Sequence, residues 1–132
     1  MNKSKLENWG YSWVENNTWV VDMWYNVVKK WRNNMVKHII LWKLKDEIED
    51  TSSVKAGIKA GLEGLKGVVP GLVDIVVNTE GLASSNADVM LDSTFESEAA
   101  LKAYAVHPAH VEVADRDVRP YTQTRLCLDF EV

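Results

Sequence analysis

The sequence has one cysteine, Cys127, among its 132 residues. A single cysteine excludes an internal disulfide and is typical of proteins from a reducing compartment. No apolar run is long enough to span a bilayer, and no signal peptide is visible. These absences predict a cytoplasmic location and no membrane partner for most of the chain.

An excess of positive charge is also missing, since the net charge is −4. This argues against nucleic acid as a partner, because such binding depends on neutralising phosphates with lysine and arginine. Apolar residues make up 46% and charged residues 26% of the chain, as in ordinary globular proteins. The length suffices for one domain with a substantial core.

Residues 1–34 differ in composition from residues 35–132. This first segment contains five of the six tryptophans. It carries five basic and three acidic residues, so its net charge is +2 and the remainder must carry −6. We therefore separate an N-terminal extension, residues 1–34, from a domain, residues 35–132.

Three interpretations of the extension stay open. It could be a flexible leader. Alternatively, the natural protein could start at Met35, because Trp31-Arg32, if encoded as TGGAGG, would place a ribosome-binding sequence just before the ATG codon of Met35. It could also form an amphipathic helix that lies on a membrane surface or docks on the domain. The helical stripe would consist of Val20, Trp24, Val27, Val28 and Trp31.

The domain alternates between strand and helix patterns in the order β-α-β-β-α-β, which predicts an α+β, ferredoxin-like fold. A glycine on the buried stripe of the first helix, Gly61, would permit close approach to the sheet. The predicted elements are a strand over 35–45, a helix capped by Ser52 or Ser53 and running to about Lys66, strands over 72–78 and 88–95, a helix capped by Ser97 and running to Ala105, a short helix from Pro108 to about Asp117, and a strand over 122–132.

The last predicted strand has two unlike faces, because side chains alternate along a strand. One face is mainly polar and includes Cys127. The other is mainly apolar, with Thr124, Leu126, Leu128, Phe130 and Val132.

The segment with the clearest chemical potential contains Tyr104, His107 and His110. A residue before proline favours an extended conformation, and Pro108 suits the first turn of a helix. His110 then lies near the positive end of the helix dipole, which favours a neutral imidazole. A neutral imidazole can take a proton from carbon or donate a hydrogen bond to a carbonyl.

Three segments together resemble the stress-responsive dimeric α+β barrel (Dabb) domain family. They are residues 36–46 (VKHIILWKLKD), the strand end at residues 94–97 and the Tyr104-x-x-His107-Pro108-x-His110-Val111 element. The resemblance covers the domain and none of residues 1–34. It implies a ferredoxin-like fold and a homodimer in which two four-stranded sheets face each other as a barrel, and some relatives assemble into large rings.

The family includes plant stress proteins, bacterial members without assigned activity and the plant polyketide cyclase that makes olivetolic acid. In that cyclase a histidine and a tyrosine act in a pocket between helices and sheet. The resemblance assigns these roles to His110 as general base and Tyr104 as acid or oxyanion donor. His38 also matches a histidine near the pocket. Val89 stands where the cyclase has another histidine, so the specific cyclase reaction is not implied.

His38, His107 and Trp42 are further ligand-binding candidates, and each has a structural alternative. His38 could be a hydrogen-bonded core residue, and His107 could cap the helix that follows it. Trp42 could line a pocket or pack in a dimer interface. We favour the interface, because a bare apolar sheet face would expose too large a patch.

No metal ion or cofactor is predicted. His107 and His110 are three residues apart and two aspartates follow, but a third nitrogen or sulfur ligand at a familiar spacing is missing. Cys127 is predicted to be inert, because no histidine lies near it in the sequence to lower its pKa.

Three functions remain open on these grounds. The first is a stress-associated protein that binds a small carbonyl or aromatic molecule near His110 and Tyr104. The second is an enzyme of the cyclase, lyase or isomerase kind that uses the same two residues. The third is a structural protein that only assembles.

Overall fold

The structure, a computed structural model, describes residues 11–14, 18–21 and 34–132. The chain divides into two units, residues 1–33 and 34–132. In the first unit, strands β1 (Tyr11–Val14) and β2 (Thr18–Val21) pair antiparallel. Val20, the first residue of the predicted helical stripe, therefore lies in a strand. The other four stripe residues lie outside the described residues.

Residues 34–132 form one four-stranded antiparallel sheet in the order β4-β5-β3-β6, with helices on one side. This architecture confirms the predicted ferredoxin-like α+β fold. The elements are β3 (Val36–Leu44), α1 (Thr51–Glu63), β4 (Leu72–Asn78), β5 (Val89–Phe95), α2 (Glu98–Val106), α3 (Pro108–Val113), a π-helical turn (Ala114–Val118) and β6 (Thr122–Glu131).

Helix α1 begins one residue after Asp50 rather than after a serine. The Asp50 carboxylate accepts hydrogen bonds from the backbone N–H of Ser53 at 3.0 Å and from its hydroxyl at 2.7 Å. The predicted cap at Ser52 or Ser53 is therefore wrong, because the carboxylate takes both donors of Ser53. Ser97 caps α2 as predicted and accepts a hydrogen bond from the N–H of Ala100 at 3.1 Å.

The core lies between the helices and one row of β3 side chains. Every second residue of β3 is buried, and His38, Ile40 and Trp42 all belong to this row. From the other side, α1 contributes Ile58 and Leu62 to the same core. Because Trp42 packs in this core, it does not lie on the face of the sheet that points away from the helices, and the interface packing that we favoured for it is wrong.

Gly61 marks the point where α1 touches the segment after α3. A Cβ atom at Gly61 would lie 2.4 Å from an Asp117 carboxylate oxygen and 2.9 Å from a Val113 methyl carbon. The close approach that we predicted for Gly61 exists, but its partners are α3 and the π-helical turn, not the sheet. This contact fixes the position of the π-helical turn against α1.

Strand β6 places its polar row on the helix side. In the pairing of β3 with β6, His38 lies opposite Asp129 and Ile40 opposite Cys127, and directly paired residues share a face. The apolar row of β6 consequently points to the opposite face, where Leu126 and Leu128 are each 64% exposed. We call this the open face. No helix in the described part of the chain is long and apolar enough to cross a membrane.

Candidate functional site

A cleft of about 870 Å³ lies between the helix side of the sheet and α2, α3 and the π-helical turn. Its volume is in the range of small-molecule pockets. The buried row of β3 forms one wall, and the polar row of β6 borders it. Four of the five predicted site residues line the cleft: Tyr104, His110, His38 and Trp42.

Tyr104, on α2, is buried to 1% exposure, yet its hydroxyl has no hydrogen-bond partner among the described residues. Its ring packs against Phe95, with centroids 4.8 Å apart. Burial raises the pKa of the phenol, because the charged phenolate would lose its hydration. The hydroxyl is therefore a neutral donor at neutral pH.

His110, on α3, is half-buried, and its Nδ1 lies 3.3 Å from the carbonyl oxygen of Ala105. A carbonyl only accepts, so Nδ1–H donates and the neutral ring has its lone pair on Nε2. Burial is the largest cause that lowers the pKa of His110, while the Ala105 hydrogen bond opposes this effect. The positive charges of Arg119 and Arg125 lower the pKa further. We had predicted from the helix dipole that His110 is neutral, whereas burial is the largest cause of its low pKa in the structure.

The rings of Tyr104 and His110 contact each other directly, with centroids 4.1 Å apart and planes inclined by 36°. The cleft is thus bordered by a neutral hydroxyl donor and an imidazole with a free nitrogen. A carbonyl compound bound in the cleft beside both residues could give a proton from carbon to His110 and place its oxygen against the Tyr104 hydroxyl.

His38 connects the cleft to β6. Its Nδ1 forms a short hydrogen bond with the Asp129 carboxylate, and the Cys127 sulfur lies 3.7 Å from the same nitrogen. Cys127 has no histidine near it in the sequence, but the pairing of β3 with β6 brings His38 beside it. Cys127 and Asp129 both contact Nδ1 of His38. A nucleophile–histidine–carboxylate relay uses two different ring nitrogens, so these three residues do not form one. Burial and the hydrogen bond to Asp129 raise the pKa of the Cys127 thiol, which makes it a poor nucleophile.

His107 lies outside the residues that line the cleft. Its Nδ1 accepts a hydrogen bond from the backbone N–H of Ala109 at 3.1 Å, and its extended backbone ends α2 and starts α3. The structural alternative for His107, a helix cap, is the arrangement that the structure shows.

Charged groups border the cleft, including Arg119 from the end of the π-helical turn and Arg125 from β6. Arg119 forms an ion pair with Asp115. Arg125 forms no ion pair with any residue of the described part of the chain. Arg125 is thus a cation that can pair with an anionic group of a ligand.

Our sequence reasoning missed Arg125, Cys127 and Asp129 as residues of the cleft. The alternation of β6 correctly placed them on one polar face. The missing signal was the register of β6 against β3, which sets Asp129 opposite His38. The ferredoxin-like order of elements predicts that the last strand pairs with the first strand of the domain. A polar row on the last strand, together with a histidine on the first, is therefore the sequence pattern that indicates these residues.

The domain matches a family model described as "Stress responsive A/B Barrel Domain" (Dabb) over residues 36–132. No curated protein matches the chain.

Solved structures with the same fold are numerous. A dimeric protein of unknown function from Bacteroides fragilis is 29% identical, with a TM-score of 0.69, and the match covers 74% of this chain and 96% of that one. A dimeric ferredoxin-like protein from Jannaschia is 25% identical, with a TM-score of 0.62 and coverage of 74% and 99%. A hydroxynitrile lyase from Passiflora edulis is 17% identical, with a TM-score of 0.59 and coverage of 75% and 94%, which shows the fold alone.

Proposed function

The chain belongs to the stress responsive A/B barrel domain family, and from this premise we propose that its cleft binds a small carbonyl or aromatic compound beside His110 and Tyr104. The functional unit is the domain, residues 35–132. A cytoplasmic location is part of the proposal and is supported by the single free cysteine.

The observation that carries this proposal is the Tyr104 hydroxyl, which is buried and has no partner among the described residues. A buried hydroxyl without a hydrogen bond costs about 1–3 kcal/mol. Native proteins seldom keep such a group without a reason, and a ligand oxygen that accepts its hydrogen bond is a sufficient one.

A catalytic role of the same pair is favoured by the neutral state of His110. The lowered pKa leaves Nε2 free to take a proton from the carbon next to a carbonyl group. The electron pair of that C–H bond then moves toward the carbonyl oxygen, and Tyr104 stabilises the resulting negative charge by donating its hydrogen bond. Return of the proton to a different carbon completes an isomerase type of step. In a lyase type of step the electron pair instead expels a leaving group from the neighbouring carbon, and that group takes the proton from His110. In a cyclase type of step the enolate carbon attacks a second carbonyl group of the same ligand, and His110 returns the proton to the new alkoxide oxygen.

The cationic side chain of Arg125 supports a ligand that also carries a carboxylate. It borders the same cleft as Tyr104 and His110 and forms no ion pair with the described residues. Arginine recognises carboxylates with two parallel hydrogen bonds. β-Keto acids and phenolic acids combine the required carboxylate with a carbonyl or aromatic group.

A purely structural role is less well supported by the geometry. A protein that only assembles would fill the space beside Tyr104 with apolar side chains such as Leu101 and Val111. Leu101 instead lines a cleft of about 870 Å³. The open space favours ligand binding over assembly alone.

A thermal-shift screen of the full chain tests the proposal with β-keto acids, phenolic acids and short acyl compounds. Two variants with the same chemical change serve as a matched pair, His110→Asn in the cleft and His107→Asn outside it. Asparagine at position 107 retains a capping side chain. We expect a compound that stabilises the wild type and His107→Asn but not His110→Asn. Equal shifts in all three proteins, or no shift with any compound, would contradict the proposal.

We further infer that the chain forms a homodimer through the open face. Leu126, Leu128 and Phe130 are 64%, 64% and 42% exposed there. Monomeric proteins rarely expose contiguous apolar patches of this kind. The Bacteroides fragilis and Jannaschia proteins, which share the fold, are described as dimeric.

A further inference from the structure

Three side chains that commonly ligate metals meet at the β6 side of the cleft. They are His38, Cys127 and Asp129, and one ligand atom from each lies within 4.8 Å of the others. All three line the cleft. We propose that this His38–Cys127–Asp129 group binds one Zn²⁺ or a similar borderline divalent ion. The inference goes beyond the proposed function and does not depend on it.

The distances within the group suit a tetrahedral ion. With zinc–sulfur bonds of about 2.3 Å and zinc–nitrogen or zinc–oxygen bonds of about 2.0–2.1 Å, neighbouring ligand atoms lie roughly 3.5 Å apart. The Cys127 sulfur lies 3.7 Å from His38 Nδ1 and 3.4 Å from the Asp129 carboxylate oxygen. Both edges that include sulfur therefore already have the required length.

The third edge, from His38 to Asp129, is shorter because a hydrogen bond joins the two groups. A metal ion would replace this hydrogen bond and move the two atoms further apart, to the spacing of a tetrahedral site. The Asp129 side chain is 45% exposed and can rotate, whereas the His38 side chain is only 9% exposed and stays in place. The adjustment thus falls on the mobile ligand.

The thiol and the carboxylate of this group lie side by side, with the Cys127 sulfur 3.4 Å from the Asp129 oxygen. Both are anionic when they act as metal ligands. A divalent ion would replace the thiol proton and neutralise the thiolate and the carboxylate together. Metal binding should consequently release a proton and strengthen as the pH rises.

The paired strands hold the ligands in register. His38 lies opposite Asp129, and the neighbouring Ile40 lies opposite Cys127, so two adjacent strands fix the spacing of the group. Sites built on such rigid elements keep their geometry better than sites on loops. Three protein ligands leave a fourth position, which would open to the cleft and take water or an oxygen atom of a ligand.

Titration of the full chain with Co²⁺ tests the site. Cobalt replaces zinc in such sites, and a cobalt–thiolate bond gives a charge-transfer band in the near ultraviolet. Because Cys127 is the only cysteine in the sequence, such a band identifies it as a ligand. We expect one Co²⁺ per chain, loss of the band when Zn²⁺ is added, and no band in Cys127→Ser.

A matched pair of aspartate variants completes the test. Asp129→Asn should weaken Co²⁺ binding by more than the roughly 10–100-fold that loss of a partner behind a ligand causes. Asp74 lies on β4 and forms an ion pair with Lys66. Asp74→Asn should leave the affinity for Co²⁺ unchanged. Circular dichroism and thermal unfolding show whether each variant folds.

Three results would overturn the metal site. They are the absence of the band in the wild type, an affinity unaltered by Asp129→Asn, and one Co²⁺ for every two chains, which would indicate a site between molecules. His110→Asn and Tyr104→Phe should both keep the band, so failure of the carbonyl-binding proposal can be told apart from failure of the metal site.

Discussion

Tyr104 and His110 come into contact, with ring centroids 4.1 Å apart, because the chain breaks its helix between them. Residues six apart in one continuous helix point about 120° away from each other. Here α2 ends at Val106, His107 is extended with φ −65° and ψ 131°, and Pro108 starts α3. The His107-Pro108 step therefore builds the site without lining it.

Replacing Tyr104 with phenylalanine should separate stability from ligand binding. The substitution keeps the ring that packs on Phe95 and removes only a buried hydroxyl without a described partner. We expect the free energy of unfolding to rise by about 1 kcal/mol, because the unmet desolvation cost disappears. Binding of any compound found in the screen should weaken. Urea unfolding and calorimetric titration measure the two quantities.

Tyr121→Phe is the matched control for this change. Tyr121 is 37% exposed, so the loss of its hydroxyl should alter neither stability nor binding by more than about 0.5 kcal/mol. A large loss of stability in Tyr104→Phe would instead show that the hydroxyl has a partner in solution. The argument for an open donor in the cleft would then be lost.

The lowered pKa of His110 should appear in the dependence of stability on pH. The unfolded chain takes up a proton on this residue near pH 6.5, whereas the folded chain does so only at lower pH. The contribution of His110 to stability is thus complete above about pH 6.5 and is lost as the pH falls toward the folded pKa.

Urea unfolding at several pH values, in wild type and His110→Asn, measures this contribution. The wild type should lose more stability than the variant between about pH 7 and about pH 5, because only the wild type carries the shifted group. NMR titration of the imidazole should give a pKa for His110 below 6.5. A value above 6.5 would contradict the lowered pKa and, with it, the argument that burial keeps His110 neutral.

Sequence periodicity was sufficient to predict the fold of the domain. The alternation of residues 35–45 predicted β3 to within one residue at each end, and the strand over 72–78 was predicted with its observed limits. These patterns are local, since a strand with one buried face must alternate. The predicted cap of α1 was wrong because residues 50–53, Asp-Thr-Ser-Ser, are all of types that can cap a helix, and only one of them does so.

Only the part of the site that lies within one short segment of the sequence could be predicted. Tyr104 and His110 lie within one segment, so their proximity followed from the proline. The group of His38, Cys127 and Asp129 depends on pairing between strands about 90 residues apart in sequence. Register between distant strands is set by the packing of the whole sheet, which no local pattern encodes.

Adding a methyl group at Gly61 should destabilise the domain. Its Cβ would meet an Asp117 oxygen at 2.4 Å and a Val113 methyl at 2.9 Å, so α1 and the π-helical turn would be pushed apart. We expect Gly61→Ala to cost about 1–3 kcal/mol of unfolding free energy. Denaturant unfolding measures this loss.

Gly57→Ala is the control within the same helix, because a Cβ at Gly57 meets nothing within 4 Å. This change should stabilise the domain by up to about 1 kcal/mol through helix propensity alone. If both variants were stabilised, the close contact between α1 and the π-helical turn would not exist in solution.

A charge on the open face should dissociate the proposed homodimer. Leu128→Lys removes an apolar side chain that is 64% exposed in the single chain and would be covered in the dimer. Covering a leucine contributes about 1.5–3 kcal/mol, and a twofold interface loses it twice. Light scattering after size exclusion should report a dimer for the wild type and a monomer for the variant at micromolar concentration.

Val106→Lys makes the same kind of change on a different surface. Val106 is 76% exposed at the end of α2, on the helix side of the domain, so its replacement should leave the dimer intact. A wild type that is already monomeric would contradict the inference, since the open face would then stay in water. Dissociation by both variants would point to a general effect of the added charge rather than to an interface on β6. Only dissociation by Leu128→Lys alone assigns the contact to β6, because that outcome requires the apolar row of this strand to be buried.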